Sequence, residues 1–110
     1  MSARPIVPFV LGLVLAATAA MSAFAADNPV VVQLNQRLAR LQSDPALAEF
    51  AAYEKLQAQH AVAAFDDARR SQRETLQYVA ERRVEIAEIA ARTQAARREA
   101  DRMDRTRSEL

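Results

Sequence analysis

Residues 72–110 read QRETLQYVAERRVEIAEIAARTQAARREADRMDRTRSEL, without a glycine, proline or asparagine to interrupt them. Such a stretch predicts one long helix, about 55 to 60 Å if unbroken at the usual rise per residue. Val79, Ile86, Ile89, Thr93, Ala96, Ala100, Met103 and Leu110 recur at heptad spacing, the pattern of a coiled-coil seam, with Arg82 and Arg107 at two of its positions. These eight residues are the candidate interaction site. Glu88 with Arg92 and Asp101 with Arg105 stand one turn apart and are expected to pair on the exposed side. No cap signal closes the helix, and Leu110 falls on the seam, so the module is expected to be truncated at its C-terminus.

Upstream, Ser71-Gln72-Arg73-Glu74 fits a capping box, in which the serine hydroxyl accepts from the Glu74 amide and the glutamate reaches back. This predicts a turn over residues 69–73; because neither glycine nor proline enforces a break there, one uninterrupted helix is the alternative. Before it, an alanine-rich helix is expected from Ala46 to about Arg69, its apolar face formed by Leu47, Phe50, Ala51, Ala58, Ala61, Phe65 and Ala68 and interrupted by Glu54. Residues 45–110 thus read as a helical hairpin. Ser43-Asp44-Pro45 marks the boundary before it, because Pro45 disfavours helical geometry at Asp44 and can open a helix itself.

Residues 26–44 form a further short amphipathic segment. Asp27-Asn28-Pro29 offers an Asx cap and a first-turn proline, and Val31, Leu34, Leu38 and Leu41 follow at spacings of three and four. The fold expected is all-α: a short helix and then a long hairpin.

The first residues follow a different logic. Arg4 precedes an uncharged apolar run from Pro5 to Ala26 that ends Ala23-Phe24-Ala25, the layout of a secretory signal peptide cleaved after Ala25. A retained anchor is the alternative, since about twenty apolar residues can span a bilayer. No twin-arginine pair is present, which points to the general secretory route. The chain contains no cysteine, so neither disulfides nor a lipidated N-terminal cysteine contribute. Removing Arg4 from fifteen Lys and Arg leaves fourteen, against fourteen Asp and Glu. A neutral exported chain argues against a nucleic-acid partner.

Little in the sequence suggests chemistry. The single histidine, His60, has Leu56, Gln57, Ala63 and Ala64 at helical spacing, none a strong metal ligand. Ser71, His60 and Asp66 or Asp67 lack the glycine-rich elbow of a nucleophile site. Asp66 and Asp67 read as surface partners of Arg69 and Arg70, and Arg82-Arg83 and Arg97-Arg98 are surrounded by Glu81, Glu85, Glu99 and Asp101. Tyr53, Phe65 and Tyr78 are expected to fill a small core. The reading is of a protein that is not an enzyme and takes no cofactor or metal.

Leu34-Asn35-Gln36-Arg37-Leu38, Asp44-Pro45, the run AAYEKLQA over residues 51–58 and above all YVAERRVEIA over 78–87 resemble the Gram-negative envelope proteins that carry the domain of unknown function numbered 4398. That domain is often followed by an OmpA-like domain. The resemblance implies an alanine-rich helical hairpin at the periplasm or outer membrane, serving as a connecting or interaction module. It implies no catalytic residue, and no residue present corresponds to the peptidoglycan-binding aspartate and arginine of an OmpA-like domain. A structural module that associates with itself or with another envelope helix is therefore the first expectation. A small helical periplasmic chaperone is the alternative, although Glu74-Thr75-Leu76-Gln77 does not match the Leu-Thr-x-x-Gln motif known from one class of them.

Overall fold

The computed structural model describes residues 28–110; the expected signal segment and its expected cleavage position lie outside them. Helix α1 spans Pro29–Ser43, α2 Ala52–Asp66 and α3 Arg73–Glu109, and there is no strand among the described residues. The fold is all-α.

Helix α1 begins as its sequence predicts. Pro29 occupies the first turn, where its missing amide costs nothing, and the Asn28 side chain accepts from the Val30 amide at 2.9 Å. Val31, Leu34, Leu38 and Leu41 are all buried, so the apolar stripe faces the core. Their burial contributes about 1.5–3 kcal/mol each relative to exposure. The same core takes Ala58, Val62 and Phe65 from α2 and Ala80, Val84, Ala87 and Ala91 from α3. All three helices therefore share one core.

Small residues decide how closely α2 and α3 approach. Ala58, Ala80, Ala87 and Ala91 are completely buried, and a methyl group at each contact brings the helix axes near one another. Phe65, Leu34, Val62 and Val84 are the largest side chains fully enclosed.

Two expectations are corrected between α1 and α2. Pro45 does not open the second helix. Residues 45–50 form turns instead, with the Asp44 carboxylate accepting from the Ala46 amide at 2.9 Å and the Asp44 carbonyl accepting from Leu47 and Ala48. The helix starts only at Ala52, because Ala51 takes the left-handed conformation (φ 57°, ψ 41°), which redirects the chain. The amide of Ala51 is satisfied by the Gln94 side chain of α3 at 2.8 Å.

The turn between α2 and α3 does occur, over residues 67–72, but the capping box is corrected. Gln72 is the N-cap of α3 and no side chain bonds to the first-turn amides. Asp67, Ala68 and Gln72 bond through their amides to the carbonyls of Ala63, Phe65 and Arg69, so backbone turns end one helix and start the next.

Candidate functional site

Helix α3 has 37 residues, about 55 Å at the ordinary rise, and all of its buried residues lie in its first half. Its buried residues are Ala80, Val84, Ala87 and Ala91, and every residue from Ala96 to Leu110 is exposed. The last turns form a projection that no other part of the described chain covers.

All eight predicted seam residues are exposed: Val79, Ile86, Ile89, Thr93, Ala96, Ala100, Met103 and Leu110. None joins the core. At about 100° per residue, Val79, Ile86, Ile89 and Thr93 lie on the side of α3 opposite Ala80, Val84, Ala87 and Ala91. The helix thus carries two apolar faces, one spent on α1 and α2 and one turned to solvent. Ile89 is 54% and Met103 59% exposed, large values for residues of this type.

The outer face has two shallow grooves. Tyr78, Val79, Arg82, Arg83 and Ile86 line one, and Glu99, Arg102, Met103, Thr106, Arg107 and Leu110 line the other, near the end of the helix. In the first, the Arg82 guanidinium sits over the Tyr78 ring with 6.0 Å to its centroid and reaches Glu85 at 3.4 Å. Arg82 therefore leans along the helix and leaves the aliphatic positions open. At the second groove Arg102 pairs with Glu99 on the same helix.

Other side chains fix the position of α3 against the rest. Arg37 of α1 donates to Glu88 through both Nε, at 3.1 Å, and Nη2. This hydrogen bond and the attraction of Glu88 hold the Arg37 guanidinium even more firmly protonated than usual. Glu88 is thereby committed across the helices, which corrects its expected pairing with Arg92; neither that pair nor Asp101 with Arg105 is an ion pair in the structure. Arg98 reaches Glu49 at 2.8 Å and lies 5.1 Å from the centroid of Phe50, tying the turn before α2 to the middle of α3.

Lys55 was not singled out by its sequence position, yet it is buried. Its ammonium donates to the carbonyls of Leu47 and Ala48 at 3.1 and 2.8 Å. The long side chain packs its methylenes beside the core and carries its charge to the carbonyl end of the 44–50 turn. The spacing of Lys55 four residues from Ala51 and three from Ala58 places it on the buried stripe, a signal that periodicity alone contained.

The residues weighed for chemistry are scattered. His60, Asp66, Asp67 and Ser71 are all exposed, and no group of three acidic, histidine or cysteine side chains suited to a metal exists among the described residues. Asp66 and Asp67 make no ion pair with Arg69 or Arg70, contrary to expectation. Phe65 fills the core as expected, but Tyr53 and Tyr78 are 70% and 63% exposed and do not. Their helix positions face away from the buried stripe, which alanine and valine complete without them.

The site and fold define a class: three helices among the described residues, the longest of which presents an unused apolar face. No described helix is long and apolar enough to cross a membrane. Comparison with family models, curated proteins and solved structures found no match to this chain.

Proposed function

We propose that this protein is a non-enzymatic helical module of the bacterial envelope that associates, through the outer face of α3, with another helix. The observation that carries the reading is the exposure of all eight seam residues on the side of α3 away from the core. A helix that is apolar on two sides and covered on one leaves hydrophobic area that association would remove from water. The bidentate Arg37–Glu88 contact supports it, because it fixes the inner face and so keeps the outer one outward.

Export rests on the N-terminal sequence, with its single cation, apolar run and Ala23-Phe24-Ala25 ending. The resemblance to envelope proteins carrying the 4398 domain agrees with that location and with a connecting role. Intact mass and native size of the protein in fractionated cells test both parts together. The expected species is periplasmic or outer-membrane-associated, lacks the first 25 residues, and runs larger than a single chain unless Ile89 is replaced by lysine. A cytoplasmic full-length chain would overturn the location, and a free single chain in every fraction would overturn association.

A small helical chaperone is the second reading, favoured by Tyr53 and Leu56, which are exposed on α2 away from the seam. A chaperone suppresses light scattering by an unfolding client at near-equal ratios; a structural module leaves it unchanged.

A further inference from the structure

Resting on the association just proposed, we infer that the occupant of the outer face is a second copy of this chain, laid antiparallel along α3. Charge complementarity selects both the partner and its direction. In a two-stranded coiled coil the residues flanking the apolar seam decide orientation. A parallel, in-register pair would set Arg92 against Arg97 of the second copy and Glu99 against its Asp104, two like-charge contacts on each side.

Antiparallel pairing about a two-fold axis between Gln94 and Ala95 reverses this. Arg92 then faces Glu99 of the second copy, and Arg83 faces its Asp104; symmetry repeats both. Along the seam, Val79 meets Leu110, Ile86 meets Met103, Ile89 meets Ala100 and Thr93 meets Ala96. All eight seam residues find partners among themselves. Bulky residues oppose small ones at Ile89–Ala100, which suits close packing.

The two surface grooves agree with the same register. The groove of Val79, Arg82 and Ile86 comes to lie on the groove of Met103, Arg107 and Leu110 from the other copy. Arg82 and Arg107 are the one unfavourable pair. Both carry long stems, and Arg82 already leans away over Tyr78, so their charged heads can stay in water.

The arrangement also gives the projecting end of α3 a place. Residues 96–110 are all exposed and are held to the rest of the described chain at Arg98, through Glu49 and Phe50, and a helix of that length is marginal in water when isolated. In the antiparallel pair they lie on residues 79–93 of the second copy, which in turn lose their exposure. The fold supplies one platform and one projection, each complementary to the other, and two copies satisfy both.

The test uses the protein expressed from Met1 and purified as the cell processes it. Because the chain has no cysteine, Ser108→Cys provides a single spin-label site on an exposed part of α3. Antiparallel pairing places Ser108 opposite Glu81 of the second copy, so the two labels stand about 40 Å apart. A parallel pair would place them side by side. Sedimentation of Asp104→Arg supplies the second readout, on a residue outside the core. It should weaken dimerisation about tenfold by opposing Arg83, and Arg83→Asp combined with Asp104→Arg should restore it. Adjacent labels, or tighter association by Asp104→Arg, would overturn the antiparallel register while leaving association intact. A chain that remains monomeric throughout would overturn the second copy as occupant; a complex with another envelope protein in cell fractions would then show that the broader reading survives.

Discussion

Arg37 and Glu88, 51 residues apart in sequence, meet as a two-point fork between the first helix and the middle of the third. The guanidinium is about one-third exposed and the carboxylate less, so solvent screens the pair only partly. Planar groups with two matched hydrogen bonds fix rotation as well as distance. The contact therefore helps fix the rotation of α3, whose inner face its buried alanines choose. In a double-mutant cycle with Arg37→Ala and Glu88→Ala, unfolding should give a coupling energy of about 0.5–1 kcal/mol. Additive effects would mean that the fork is incidental. Arg37→Lys should not restore the coupling, because a single ammonium nitrogen cannot reproduce the planar two-nitrogen fork.

Gln94 holds the left-handed Ala51 by accepting its amide hydrogen. Gln94→Ala should cost about 1–2 kcal/mol in chemical denaturation, since a nearly buried donor then loses its partner. Gln94→Glu, which keeps an acceptor, should lose less. Equal losses would show that the side chain only fills space.

Lys55 is the latch of the turn before α2, through the carbonyls of Leu47 and Ala48. Lys55→Met keeps the packing of the stem and removes both bonds. Global stability should fall by no more than about 1.5 kcal/mol, while amide exchange at Leu47, Ala48 and Phe50 accelerates more than in the helices. Uniform acceleration would contradict a local role.

The two faces of the fold should respond differently to truncation. Phe65→Ala removes one of the largest enclosed side chains and should cost about 3–5 kcal/mol, enough to unfold much of so small a protein. Ile89→Ala, on the outer face, should change the stability of the dissociated chain by no more than about 0.5 kcal/mol. Melting of the dilute variants checks both.

Much of the fold was legible in spacing. Val31, Leu34, Leu38 and Leu41 are buried as their periodicity requires, and Asn28 caps before Pro29 as those residue types do. The boundary before α2 was harder, because Pro45 is equally suited to opening a helix or a turn. The Asx turn at Asp44, a local bond, and the left-handed Ala51, held by Gln94 from the distant third helix, decided it. The capping box at Ser71 failed for a related reason: backbone bonds already satisfied the turn.

The outer face was visible as a heptad pattern from the start, but which face α3 would use internally was not. Val79, Ile86 and Ile89 are bulkier than Ala80, Ala87 and Ala91 and dominate any count of hydrophobicity. The alanines won because helices in a small three-helix core approach closely, and their methyl groups fit that distance. Cross-helix ion pairs such as Arg37–Glu88 escape sequence reading altogether, since local spacing offered Glu88 a nearer partner in Arg92.

The most direct test of association through the outer face is photo-crosslinking in living cells from a benzophenone side chain placed at Ile89. Specific adducts, to the same chain or to another envelope protein, are expected, and they should be lost when Ile86 is replaced by aspartate in the same chain. An unreacted chain, or adducts indifferent to that substitution, would contradict the account.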